Sequence, residues 1–331
     1  MKKFIKPYKY CFFILFILSS FNALATPTDP EVEKRKTIAK TYPVSSSDKL
    51  VLDNQFGEVK ITTWDRSEVK IEVTVIATSD NESRAQEMLD RIIINEDKSG
   101  NTISVKTKMN ESKKNWNGHR NEKFEINYAI NMPVTLALDL THQFGNSYVP
   151  DLKGAVDIEQ KFGNLYAGKL SKVQNISVEF GKATIESING GSVVVKFSKA
   201  AINNIEGSIK GNFEHCGGIK LNITNAVTGL TLRNEFSQIY LDVATNLNAT
   251  YDVYTNFSEL KNKSSFKITE DKEDDDRRGP KFDHQYNGKS GSGNTIIKVK
   301  ANFGDVIIGH NLPFDVNAEE KKEKKKKTTS I

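Results

Sequence analysis

The chain has 331 residues, a formal net charge of +5 and two cysteines. That length suits one large domain or two ordinary ones. The charge lies at the two ends. Without four N-terminal lysines the remainder stands at +1, and without the lysine-rich C-terminus the body stands at −2, so it offers no basic field for nucleic acid.

The opening "MKKFIKPYKYCFFILFILSSFNALA" reads as a secretory signal peptide over residues 1–25. Lys2, Lys3, Lys6 and Lys9 form its basic region, Cys11 to Leu18 its apolar core, and Ala23-Leu24-Ala25 a small-x-small site cut before Thr26. An uncleaved anchor is the rival, but the apolar run is shorter than the ~20 residues a spanning helix needs, so no transmembrane segment is expected in the mature chain. Cys11 lies inside the apolar core, which argues against a lipoprotein. Export leads to the periplasm or to the cell surface and exterior. Cys216 is then the only cysteine, no intrachain disulfide can form, and backbone ladders and packing must hold the fold.

Residues 34–135 predict an N-terminal cap. "KLVLDNQFGEVKITTWDRSEVKIEVTVIAT" suggests two or three strands with a turn at Asp65-Arg66-Ser67. "SDNESRAQEMLDRIII" predicts one helix near 81–92, started by Asp80 or Asn81, with Ala85, Met88, Leu89 and Ile92 as its apolar stripe. "NTISVKT" and "FEINYAINMP" resume strands around a polar loop, Asn110 to Asn121.

From residue 136 a Phe recurs, at Phe144, Phe162, Phe180, Phe197, Phe213, Phe236, Phe257 and Phe303, with an earlier copy at Phe56. Its flanks alternate apolar residues with period two, as Ile176 and Val178 do before Phe180, and Ala183 and Ile185 after it. The alternation slips by one just past each Phe. Gly57, Gly145, Gly163, Gly181 and Gly304 follow the ring there, and serine or Glu214 replaces them elsewhere. Glycine suits a corner or bulge. "PDLKG", "SINGG" and "NNIEG" mark a second bend. The expectation is an all-β chain: a β-solenoid over 136–312, with rungs of about 16–23 residues, Phe as an interior ladder and Gly as the corner. A β-sandwich with accidental periodicity is the rival. Leucine-rich repeats are excluded, since the fixed residue is Phe-Gly and the repeats lack helices. The charged 267–293 segment reads as an extruded loop and 313–331 as a disordered, Lys-rich tail.

The order "NQFGEVKITTWDRSEVKIEV", "ESRAQEMLDRI", "GNTISVKT", "INMP" and serial "FGN" units resembles the putative-adhesin families of bacterial secreted proteins, over about residues 40–310. Phe-Gly stands where those families usually have Asn-Gly, a variant of relatives in Bacteroidetes-like bacteria. The resemblance implies a β-solenoid with a small N-terminal subdomain and brings no catalytic residues.

Residues that could carry chemistry are sparse. His119, His142, His215, His284 and His310 form no i, i+4 pair, HExxH or Cys/His cluster, so neither a metal site nor a cofactor is predicted. His142, two before Phe144, shares its position with Asn54, Gln160, Asn234 and Thr255, which suggests a wet corner. The Glu270–Asp276 run could attract Ca²⁺ but lacks EF-hand spacing and adjoins Arg277 and Arg278. No GxSxG or phosphate loop is present. Tyr148, Tyr166 and Tyr240 lie four residues past a Phe and predict an outward aromatic strip that could bind a polysaccharide or an envelope protein. Lys161, Glu179 and Lys196 alternate charge beside the ladder. Asp139, Asp157 and Glu159 form an outward acidic cluster with no lysine or arginine converging on it. The function expected is therefore a non-enzymatic, adhesin-like binding or scaffold protein of the envelope. A polysaccharide lyase or hydrolase on a parallel β-helix is the alternative.

Overall fold

The computed structural model describes residues 31–110, 122–271 and 281–317. Apart from one helix, these residues are all-β, and their 21 strands share one hydrogen-bonded sheet that stays open rather than closing as a barrel. The expected signal peptide, most of the 110–121 loop, His119, most of the Glu270–Asp276 run and the lysine-rich end from residue 318 lie outside the described residues.

Alternation forms the first strands, β1 (Val32–Pro43), β2 (Lys49–Gln55), β3 (Val59–Trp64) and β4 (Glu68–Ser79), and β4 buries every second side chain from Val69 to Ser79. Asn81 then stops extended chain and starts α1 (Glu82–Arg91), its side-chain oxygen accepting the Ser83 and Arg84 amides at 2.8 and 3.3 Å. Ala85, Met88 and Leu89 face inward from α1, which packs on β1 and β4. Ile92 opens β5 (Ile92–Ser99), paired antiparallel with β6 (Thr102–Met109), and β7 (Lys123–Pro133) lies antiparallel to β4.

From here to Val243 every pairing is parallel, as it already is between β2 and β6 and between β3 and β7. In order come β8 (Ala137–Gln143), β9 (Ser147–Val149), β10 (Leu152–Lys161), β11 (Asn164–Glu179), β12 (Lys182–Lys196), β13 (Lys199–Glu214) and β14 (Gly218–Glu235). The chain closes with β15 (Ile239–Val243), β16 (Ala249–Asn256), β17 (Leu260–Lys263), β18 (Ile268–Glu270), β19 (Asp283–Ser290), β20 (Thr295–Asn302) and β21 (Val306–Gly309). Residues before one corner pair with residues before the next, as Ile158, Ile176 and Val193 do in turn. Residues after the corners form a second track, through Leu165, Ala183, Ala200 and Ile219. These side chains are buried in one continuous core, where each Val, Leu or Ile contributes roughly 1.5–3 kcal/mol by leaving water and each Ala less.

The corners depart from expectation in three ways. The rings are not inside: Phe144, Phe162, Phe180, Phe197, Phe236, Phe257 and Phe303 are 44–51% exposed. Their backbone explains it. Each has a left-handed φ of 48–59°, and Phe56 has 68°. Strand parity would put a residue on the same face as the one two before it, but a left-handed residue turns the chain and ejects its own side chain. Phe213, by contrast, has ordinary parity, pairs with Val195 and is 1% exposed in the core, so it is no part of the file. His215 holds the corner instead, with φ of 52°.

The second correction concerns glycine. Gly145, Gly163, Gly181 and Gly304 have no positive φ, so they do not make the bend. They allow close approach. A Cβ on Gly163 would lie 1.8 Å from the Gly145 carbonyl oxygen, and one on Gly145 would lie 1.6 Å from that of Gly57. Where Ser replaces Gly, its hydroxyl is used: Ser198 Oγ donates to the Lys196 carbonyl at 2.6 Å and accepts the Gly181 amide at 3.0 Å.

The third is an exchange of order near the C-terminus. β20 lies between β14 and β16, and β21 between β15 and β17, so the corner sequence runs Phe236, Phe303, Phe257. The expected loop at 267–293 supplies β18 and β19, which pair antiparallel with each other, while β19 covers β16. Their polar composition fits a terminal pair with water on one side. At the other end β2 and β3 pair directly with β8 and β9, so the level of Phe56 is continuous with that of Phe144.

Candidate functional site

Ejecting each ring at the same backbone angle, on strands about 4.8 Å apart, lines the rings up. From Phe56 through Phe144, Phe162, Phe180, Phe197, His215, Phe236, Phe303 and Phe257 to Phe282, successive centroids are 4.5–5.1 Å apart with interplanar angles of 2–18°. Phe124 closes the N-terminal end edge-on to Phe56 at 4.7 Å. The faces are used up within the file, and the ring edges meet water. His215, Phe124 and Phe282 had no place in the sequence pattern. Counting corners at 17 or 18 residues, as from Phe162 to Phe180 and from Phe180 to Phe197, leads on to His215.

On the track after the corners, Tyr148 and Tyr166 stack at 5.1 Å and 11°. Tyr166 is 37% exposed. With Lys60, Pro150, Gly168, Thr184, Glu186 and Asn203 the pair borders a shallow depression of about 370 Å³. Tyr240 does not join them. Thr184, Ala201 and Lys220 stand between in the cross-strand register, and Tyr240 packs on Phe314 at 5.3 Å and donates its hydroxyl to Gln238. Phe314 belongs to the segment expected to be a disordered tail, but residues 313–317 lie on this face. Just before them Lys220 donates to the Leu312 carbonyl at 2.7 Å, and Leu312 N donates to Asp242 at 3.2 Å.

The polar position two before each corner is dry, not wet. Asn54, His142, Gln160, Asn234 and Thr255 are all 0% exposed. Asn54, His142, Gln160 and Asn234 serve buried groups. Asn54 donates to the Ile126 carbonyl at 2.9 Å and accepts from Thr107 at 3.0 Å, and Thr107 shares a 2.9 Å hydrogen bond with the Tyr128 hydroxyl. His142 Nδ1 lies 2.9 Å from Ser147 Oγ, which donates to Gln160 at 2.6 Å; Gln160 in turn donates to the Gly145 carbonyl at 2.9 Å. Burial pulls the His142 pKa down to about 4, against the opposing pull of Gln160 and the Gly57 carbonyl. Burial likewise pushes Tyr128 up to about 12.

The acidic cluster is more balanced than its sequence register suggests. Lys49 reaches Asp139 at 3.0 Å and Lys161 reaches Glu159 at 2.6 Å, while Asp157 accepts from Asn175 at 3.3 Å. The lysines arrive from a neighbouring strand and from two residues along the same one, which counting within a repeat does not show. Beside the file, Lys161 lies 3.8 Å from Glu179 and Lys196 lies 2.9 Å from Glu214. Cys216 is buried with its thiol pKa raised by burial, and its Sγ donates to the Val195 carbonyl at 3.1 Å. Among the described residues no three His, Cys, Asp or Glu side chains gather as metal ligands, and no helix is long and apolar enough to cross a membrane.

No protein-family model and no curated protein matches the chain. Solved structures do. A putative adhesin from Bacteroides fragilis is similar at a TM-score of 0.37 and 10% identity, over 82% of this chain and 97% of its own. A putative cell adhesion protein from Clostridium sporogenes gives 0.28 and 13%, over 84% and 100%. A putative lipid binding protein from Parabacteroides distasonis gives 0.32 and 9%, over 82% and 96%. Adhesin-named proteins are thus among its structural neighbours.

Proposed function

We propose that this chain is an exported, non-enzymatic β-solenoid that binds a polysaccharide or an envelope protein through its outer sheet surface, or serves there as a scaffold. The parallel steps near 18 residues support a narrow coil over 136–312, with the 34–135 segment as its cap. The N-terminal signal supports cleavage after Ala25 and residence in the periplasm or at the cell surface.

One observation carries the binding reading: the stacked Tyr148–Tyr166 pair beside a depression that also presents Lys60, Glu186 and Asn203. A half-exposed ring beside hydrogen-bonding groups is the chemistry that holds a sugar ring or an amphipathic protein contact. The test is calorimetric titration of the mature chain with a panel of envelope polysaccharides, with product analysis in parallel. Saturable binding without turnover, weakened at least tenfold by Tyr166→Ala, supports the proposal. Turnover abolished by Asp157→Asn would overturn it in favour of a lyase or hydrolase.

A further inference from the structure

The aromatic file is the largest surface feature that intramolecular packing does not explain. Its rings already stack face to face, so the stability they give each other needs only their faces. Their edges remain as a continuous apolar crest roughly 40 Å long at the ~4.8 Å strand spacing. Eight Phe residues of the file are 44–51% exposed. At ~200 Å² for a ring side chain, that is roughly 700 Å² per chain, beyond the 300–600 Å² of the largest apolar patch on an ordinary monomer.

We infer that this crest pairs with the crest of a second copy of the same chain. Three observations select that occupant. The first is area: in the antiparallel register that charge selects, the two crests overlap over eight levels, and the six Phe that each exposes there at 44–50% bring together roughly 1,100 Å², above the ~1,000 Å² that a specific interface needs. The second is period. A partner that meets the ring edges from Phe56 to Phe303 must repeat at 4.8–5.1 Å over seven steps, and this chain carries that repeat. The third is charge. The row beside the crest reads Lys161, Glu179, Lys196, Glu214, in neighbouring register. Turned antiparallel about a two-fold axis between Glu179 and Lys196, that row places Glu214 opposite Lys161 and Lys196 opposite Glu179, each contact made twice as a two-fold interface requires. On the other flank Lys182 would face Lys199 of the second copy. Salt screens the four attractive contacts as well as the two repulsive ones, so 500 mM NaCl should weaken the pairing only modestly and leave the apolar edges to hold it.

The experiment is sedimentation equilibrium of the full mature chain from 1 to 100 µM, in 50 mM and 500 mM NaCl. A second set uses the triple variant Phe162→Tyr, Phe180→Tyr, Phe197→Tyr. It keeps every ring in the stack but places a hydroxyl on each exposed edge, so the fold is retained, which circular dichroism and thermal melting check. The expected result is a reversible dimer, retained at 500 mM NaCl with at most a modest loss of affinity, whose dissociation constant rises at least tenfold in the triple variant. A monomer throughout would overturn the inference. So would a dimer that the triple variant leaves intact but Tyr166→Ala dissociates, since that would move the interface to the tyrosine face. Co-sedimentation of a monomeric chain with phosphatidylcholine vesicles, lost in the triple variant, would assign the crest to lipid instead.

Discussion

Burying His142 should give the protein a characteristic loss of stability in mild acid. The imidazole is 0% exposed, and its pKa in the fold is about 4 against an ordinary value of 6.5. The unfolded chain therefore takes up a proton between pH 6.5 and 4 while the folded chain does not. Stability from this group is full above pH 6.5 and declines as the pH falls toward 4. A gap of two and a half pH units at ~1.36 kcal/mol each corresponds to about 3 kcal/mol at pH 4. The perturbation is His142→Gln, because Gln160 occupies the same position one level along, where it donates to the Gly145 carbonyl. The assay is urea unfolding of wild type and variant at pH 7, 5.5 and 4. Asp53, whose pKa is raised chiefly by burial, contributes in the opposite sense but equally to both proteins, so it cancels in the difference. The variant should gain about 3 kcal/mol on the wild type between pH 7 and pH 4. Parallel pH profiles would refute the dry, unprotonated histidine.

Other expectations concern the corners. Gly163→Ala forces a methyl to within 1.8 Å of the Gly145 carbonyl, so it should lower stability by ~3 kcal/mol or more in chemical denaturation. Gly229→Ala, whose nearest neighbour would be Ser208 Oγ at 3.4 Å, should change it by less than ~1 kcal/mol. Phe180→Asn keeps a residue that tolerates a left-handed backbone but removes two stacked contacts, at 5.0 and 4.9 Å, and should cost ~1–3 kcal/mol. Phe180→Tyr keeps both contacts and should melt close to wild type. Cys216 should react with a thiol reagent only under denaturing conditions, since it is buried and its pKa is raised; modification at the rate of a free thiol in native buffer would contradict that placement.

The parts of the fold legible in the sequence are those where parity and capping decide the outcome. Val69 to Ser79 alternate cleanly, and Asn81 followed by Ala85, Met88 and Leu89 announces the helix. The recurrence of Phe was legible too, but not its side. An apolar residue two positions past Val178 reads as buried so long as the strand keeps parity, and nothing local announces that a bulky residue will take the left-handed conformation it ordinarily avoids. That single angle reverses the assignment of the whole file. Phe213 was misplaced by the same logic, because it shares its residue type with the corners while sharing its position with Val195. Room for it comes from Gly211, which stands where β12 has Val193. The tyrosine face was only partly readable. Tyr148 and Tyr166 are one step apart, whereas the neighbours of Tyr240 depend on Phe314 and on strands whose spatial order is not their chain order.

That exchanged order has a consequence for biogenesis. The slot between β14 and β16 is filled by residues 295–302, and that between β15 and β17 by 306–309, so these residues are set between strands that precede them in the chain rather than added beyond them. Without them, the ladder edges that β14 and β16 offer to β20 would be unpaired. This pairing can form only once residues 295–309 have been delivered, and a chain that stops short of Thr295 would present the unpaired edges of β14 and β16 to any other extended polypeptide nearby. β20 and β21 are thus a keystone between strands laid down before them.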